Sequence, residues 1–222
     1  MKTKKKFTHL ESPELPILTR TSVEGKRHYR TPYGLFISIT SLLSSNVPGT
    51  ILEWRERVGE AVANYVMRVA ANRGTKVHKM AELTLSNQPI GDVSDYGVLP
   101  FALFNMLEPA LQKIDNIRAL ELPIYSKALR VAGTADAICD FEDIPAVVDF
   151  KTSSRMRDKE SVERYFLQCA FYAFAWEELT GEKIEKIIIV MVSEDGRMEI
   201  FREDTAKYIP KLREIIKEYR KD

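Results

Sequence analysis

Apolar and polar positions along this chain switch repeatedly between helical and strand periods. From Pro48 onward, Leu52, Val58, Val62, Val66 and Val69 fall near a 3.6-residue repeat, which predicts helix. Gly74 is expected to break it before a second helix over about Thr75 to Leu85, and a third helical stretch runs from about Leu99 to Ile117. Residues 118–127, 129–141 and 145–152 are then short, β-branched-rich segments separated by turn signals, which predicts consecutive antiparallel strands. A long amphipathic helix follows from about Lys159 to Leu179, with Gly181 as its stop. Lys186 to Ser193 reads as a buried strand, Arg197 to Arg202 as its hairpin partner across Asp195-Gly196, and Asp204 to Arg220 as a final charged helix. The order predicts an α/β fold with a helical N-terminal segment. Residues 1–34, with prolines at 13, 16 and 32, read as an irregular arm, 35–117 as the helical segment and 118–222 as the α/β core of one integrated domain.

Composition changes this picture only by exclusion. A hydrophobic share of 45% and a charged share of 29% suit a soluble globular protein. The longest apolar run, Ile187 to Val192, is too short for a membrane span. The basic start (Lys2, Lys4, Lys5, Lys6) is followed by no secretory apolar stretch, and Glu11 and Glu14 argue against a transit peptide, so a cytoplasmic location is expected. Cys139 and Cys169, one on a strand and one on a helix, are too few for a disulfide framework or a cysteine-held iron–sulfur cluster. The net charge of +1 does not by itself point to nucleic acid. The basic knot Lys26, Arg27, His28 and Arg30 is either a solvated charge run or a phosphate contact.

Candidate chemistry comes from strand alternation. In Val147-Val148-Asp149-Phe150-Lys151-Thr152, Asp149 and Lys151 share one face, about 7 Å apart. An exposed pair of this kind contributes at most about 1 kcal/mol, but the apolar Ala146-Val147-Val148 lead suggests a charged strand end emerging from a core. The preceding strand holds Asp136, and two carboxylates brought close together repel unless a cation joins them, which would favour Mg²⁺ or Mn²⁺. His78 and Glu82, four apart, lie on one helical face. His78 is either a hydrogen-bonded structural residue or a metal ligand. Arg164, Gln168 and Tyr172 form a stripe on the long helix, which is either an ordinary polar face or part of a site. Trp54, Tyr65 and Tyr33 are either packing or stacking surfaces for bases.

Together, Arg73-Gly74-Thr75-Lys76-Val77-His78 with Glu82, Gly133-Thr134-Ala135-Asp136, Val148-Asp149-Phe150-Lys151-Thr152-Ser153 and Gln168 with Tyr172 resemble the PD-(D/E)XK nuclease superfamily. The pattern is similar to its RecB-type branch, in particular phage exonucleases and the mitochondrial genome maintenance exonuclease. Ser38-Ile39-Thr40-Ser41-Leu42-Leu43 and Trp54-Arg55 extend the likeness, which covers roughly residues 30 to 195. The superfamily's proline is Ala135 here. The resemblance implies a restriction-endonuclease-like core, a central mixed sheet flanked by helices. It implies His78, Asp136, Asp149 and the Phe150 backbone carbonyl as ligands of Mg²⁺ or Mn²⁺, with Glu82 behind them or on a second ion. Lys151 would orient the attacking water or stabilise charge at phosphorus, and Gln168 would position it. Arg73, Arg164, Tyr172, Thr152, Ser153 and Trp54 would serve DNA binding. The implied activity is an exonuclease on DNA, preferably single-stranded, working alone or with replication or recombination proteins. An endonuclease or double-strand exonuclease of the same fold, and a nucleic-acid-binding subunit that needs a partner, remain open.

Overall fold

The computed structural model describes residues 5–45 and 49–221; Lys2, Lys4 and Pro48 lie outside them. An N-terminal meander, β1 (Thr19–Val23), β2 (Lys26–Thr31) and β3 (Gly34–Ser38), leads into three helices, α1 (Ile39–Ser45), α2 (Gly49–Val58) and α3 (Glu60–Leu85). After α4 (Val98–Leu111) come β4 (Ile114–Ser126), β5 (Val131–Phe141) and β6 (Ile144–Ser153). The chain closes with α5 (Glu163–Thr180), β7 (Lys186–Ser193), β8 (Met198–Asp204) and α6 (Thr205–Tyr219).

All the strands join one eight-stranded mixed sheet in the order β1-β2-β3-β5-β6-β7-β8, with β4 on β5. β4, β5 and β6 are antiparallel neighbours, as expected, while β6 and β7 run parallel. One face packs on α1, α5 and α6 through Leu42, Val147, Phe171, Ile189 and Leu212. The other packs on α3 and α4 through Val77, Leu107, Val148, Phe150 and Val190. β7 is buried almost throughout because helices cover both its faces, which explains its unbroken apolar run. Cys139 and Cys169 are buried and free, one in β5 and one in α5. No helix among the described residues is long and apolar enough to cross a membrane.

Four local expectations are corrected. The arm at 1–34 contains β1 and β2, joined by a two-residue turn at Glu24 and Gly25 with both φ positive (51° and 75°). Its strands are largely polar and lie at the sheet edge, so they carry no apolar alternation to read. Helix α3 passes unbroken through Gly74; the break falls at Gly59, whose φ of 84° needs no Cβ. The apolar repeat at Leu52, Val62, Val66 and Val69 is not a core face, since these residues are 60%, 52%, 44% and 44% exposed. The buried stripe of α3 begins later, at Arg73, Val77, Met80, Ala81 and Thr84, where the helix reaches the sheet. The third helix stops at Leu111, and Ile114 and Ile117 enter the core from a strand bent at Asn116 (φ 44°).

The β5–β6 ladder ends at Ala137 opposite Val148. Beyond it β6 stays with β7, while β5 keeps β4 on its other edge and meets β3 only at Val131 and Ala132. Gly133 to Asp136 therefore border a fork in the sheet, with Asp136 and Asp149 one step past the last pair. Helix α5 crosses beneath it, made possible by Gly133: a Cβ there would lie 2.7 Å from Tyr172 Cε1 and 3.0 Å from Ile39 Cγ2. Gly133→Ala should destabilise the protein by about 1–3 kcal/mol through overpacking, read as a lower urea midpoint with an unchanged slope.

Candidate active site

Two groups of polar side chains meet at the fork. On the α3 side, the half-buried His78 comes from beside the buried stripe of its helix and Asp136 from β5; the His78 Nδ1 lies 3.4 Å from Asp136 Oδ2. Glu121 of β4 joins them, 3.8 Å from the same nitrogen. It sits between Leu120, which faces Ala137, and Leu122, which faces Ala135, so it is level with Asp136. Its φ of 45° is a left-handed conformation that costs energy for a side-chain-bearing residue. The bend reverses the alternation: Leu120 packs on the α3 face, and Leu122 on the α5 face where regular alternation would return it to the α3 side. His78, Glu121 and Asp136 each offer a ligand atom, all within 4.8 Å of one another. Two hard carboxylates and an imidazole at this separation suit a single divalent cation such as Mg²⁺ or Mn²⁺.

The second group lies on the α5 side. Asp149 is fully buried and in contact with the Lys151 ammonium. Gln168 Nε2 donates to Asp149 Oδ1 (3.2 Å) and to the Tyr172 hydroxyl (3.0 Å), so α5 holds the carboxylate from below. The Tyr165 ring lies 5.0 Å from the Lys151 Nζ and limits where that charge can go. Phe150, between Asp149 and Lys151, joins the groups through its backbone: its N–H donates to Asp136 Oδ2 (2.9 Å), and its carbonyl oxygen lies 2.8 Å from His78 Nε2.

The charges are tightly coupled. Burial raises the Asp149 carboxyl to about 6, with like charge on Asp136 adding to the effect and Lys151 opposing it. Burial likewise disfavours a charged Lys151, but Asp149 and Asp136 outweigh it and hold the ammonium above its ordinary range. For His78, burial is again the largest influence and acts downward, yet Asp136 and Glu121 raise the ring to about 10. Asp136 is depressed despite burial, by His78, Lys151 and the Phe150 N–H. In this arrangement the carboxylates demand positive charge at the fork, which a protonated His78 or a bound cation can supply.

Other sequence-predicted residues stand at various distances from this chemistry. Glu82 pairs with Lys79 at 2.8 Å. Arg73 is buried, in contact with Glu194, with its Nε donating to Thr152 Oγ1 at 3.4 Å. Ser153 and Tyr172 are also buried, Arg164 is half-buried on α5, and Trp54 is half-buried on α2. Sequence reading missed Glu121. Its position in Glu121-Leu122-Pro123, within the strand whose second half faces the Gly133-to-Asp136 segment, was the available signal.

Comparison with curated proteins finds no match in sequence. Two solved structures share part of the backbone arrangement. One, from Eubacterium rectale and provisionally named an exonuclease, is 11% identical, with a TM-score of 0.46 over 68% of this chain and 65% of that one. The chain thus spans about two thirds of that protein's length. The other, SSO0001, is 17% identical, with a TM-score of 0.37 over 81% of this chain and 74% of that one. The family model for the PD-(D/E)XK nuclease superfamily matches residues 98–221. The matched stretch holds Glu121, Asp136, Asp149, Lys151 and Gln168, and more than half the chain, so this chain belongs to the PD-(D/E)XK nuclease superfamily.

Proposed function

We propose that this phosphodiester hydrolase is a metal-dependent DNA exonuclease that prefers single-stranded ends and acts in replication, recombination or repair. The observation that carries the reading is the convergence of His78, Glu121 and Asp136 beside the Asp149–Lys151–Gln168 group in the open fork. The proposed cation is Mg²⁺ or Mn²⁺, held by His78, Asp136, Asp149 and the Phe150 carbonyl, with Glu121 as a further carboxylate of the same centre. When bound, such an ion lowers the pKa of a coordinated water and polarises a phosphate oxygen.

The chain's own residues do the rest. Asp149 fixes the Lys151 ammonium beside the place where negative charge develops at phosphorus, and a fixed charge needs no reorganisation at the moment of reaction. Gln168 and Tyr172 hold Asp149 from the α5 side. Tyr172, fully buried, supports the site without touching substrate. Arg164 and Thr152 are the proposed backbone contacts near the fork. The hairpin of α2 and the first half of α3, with Trp54 and the exposed Tyr65, is the proposed flank for the strand, offering aromatic faces that accept any base. In this reading Arg73 braces α3 against the end of β7, and the three sequence segments act as one nuclease domain.

Three outcomes are expected. Asp149→Asn should reduce cleavage in Mg²⁺ by about 10³-fold or more while the protein stays folded by circular dichroism; near-normal turnover would remove the assignment. Glu121→Gln should weaken Mn²⁺ binding by about tenfold or more in a calorimetric titration, and unchanged affinity would place Glu121 outside the metal centre. A linear single strand should be degraded while a closed circle of the same sequence survives; efficient cutting of the circle would favour an endonuclease.

A further inference from the structure

The β1–β2 hairpin and α1 border an open surface cleft of about 530 Å³ lined by Arg20, Ser22, Arg27, Thr40, Ser41 and Ser44. Among the described residues, no carboxylate and no large apolar side chain lines it. The tight turn at Glu24 and Gly25 sets Ser22 opposite Arg27. His28 faces Ile37 across β2 and β3, so Arg27 comes level with Ser38, which in turn pairs with Ala132 of β5. Asp136 lies four residues farther along β5, about 13 Å away at the usual strand rise.

Hydroxyl polarity indicates what the cleft would take. Ser38 Oγ accepts the Ser41 N–H (3.0 Å) and donates to Ser41 Oγ (3.0 Å). Ser41 Oγ also accepts the Arg27 backbone N–H (2.9 Å). Ser38 Oγ also lies 3.0 Å from Thr40 Oγ1, so Ser38, Thr40 and Ser41 form one hydroxyl cluster whose remaining donor capacity is open to a group in the cleft. The guanidinium groups of Arg20 and Arg27 are donors only, and neither pairs with a described carboxylate, whereas Arg73 and Arg118 both do. A cleft of donors with net positive charge selects an anion whose atoms are all acceptors.

We propose that this cleft is a subsite for a backbone phosphate of the nucleic-acid strand, on the β1–β2 side of the sheet beyond β3. The identity of the strand rests on the nuclease reading; the anion chemistry does not. A contact of this kind positions a strand without reading its bases, so every sequence should be held alike.

The test is the affinity of the full chain for a labelled single strand, measured by fluorescence anisotropy in EDTA across a salt series. Arg20→Gln/Arg27→Gln should weaken binding about tenfold and lower the slope of log affinity against log salt by about 0.7, the contribution of one phosphate. Ser41→Ala should weaken it severalfold, and Arg27→Lys should keep most of the affinity, which separates lost charge from lost fold. Unchanged affinity and slope in both the double variant and Ser41→Ala would overturn the subsite. So would competition by inorganic phosphate beyond that of chloride at equal ionic strength with DNA affinity intact in the variants, since the cleft would then take a free anion. A wild-type chain that binds the strand with this dependence but cuts nothing in Mn²⁺ would sink the nuclease reading and leave the subsite standing. A chain that cuts normally, with variants that bind normally, would do the reverse.

Discussion

The parting of β5 from β6 beyond Ala137 and Val148 is the constraint on which the site depends. Up to that point the strands form an ordinary antiparallel ladder, and their side chains are core. Past it, the facing edges of β5 and β6 are no longer paired with each other and the sheet forks. Asp136 and Asp149 stand at the mouth of the fork, and Glu121 is brought level with them by a left-handed bend in β4. Such a bend is unfavourable for glutamate, and it persists because pairing on either side of it holds the strand in register.

Like charges gathered in this way need compensation, and the protein provides it asymmetrically. On the α5 side Asp149 has its own cation, Lys151, and its own amide donor, Gln168. On the α3 side, among the described residues, Asp136 and Glu121 share the direct contacts of His78 and one backbone N–H, with Lys151 acting on Asp136 from farther off. The first group is a fixed internal pair and the second an incomplete one, a difference that suits a permanent ammonium beside an exchangeable metal ion. Helices above and below determine it: α3 supplies the imidazole, α5 the amide, and Gly133 lets α5 come close enough to do so.

The N-terminal third has a different logic. In helix α2 and the first turns of α3, Leu52, Val62, Val66 and Val69 face outward and Ala63 is buried, while the continuous buried stripe of α3 begins at Arg73, where the helix meets the sheet. One long helix thus serves as a core element at one end and as a projecting surface at the other. The β1–β3 meander extends the sheet beyond β5 and carries a cleft rich in arginine and hydroxyl groups.

The helix-to-strand order, the α5 stop at Gly181 and the β7–β8 hairpin were legible in the sequence because local periodicity and turn chemistry determine them. Asp149 and Lys151 were legible as a pair because alternation along a single strand is enough to put them on one face. What depended on partners distant in the chain was not. The polar strands β1 and β2 become strands only by pairing, and the apolar repeat at Leu52 to Val69 looks the same whether its face meets a core or solvent. Glu121 belongs beside His78 and Asp136 only after β4, β5 and α3 have packed together, since a single sequence carries no record of which strands diverge or where a backbone bends to meet a charge.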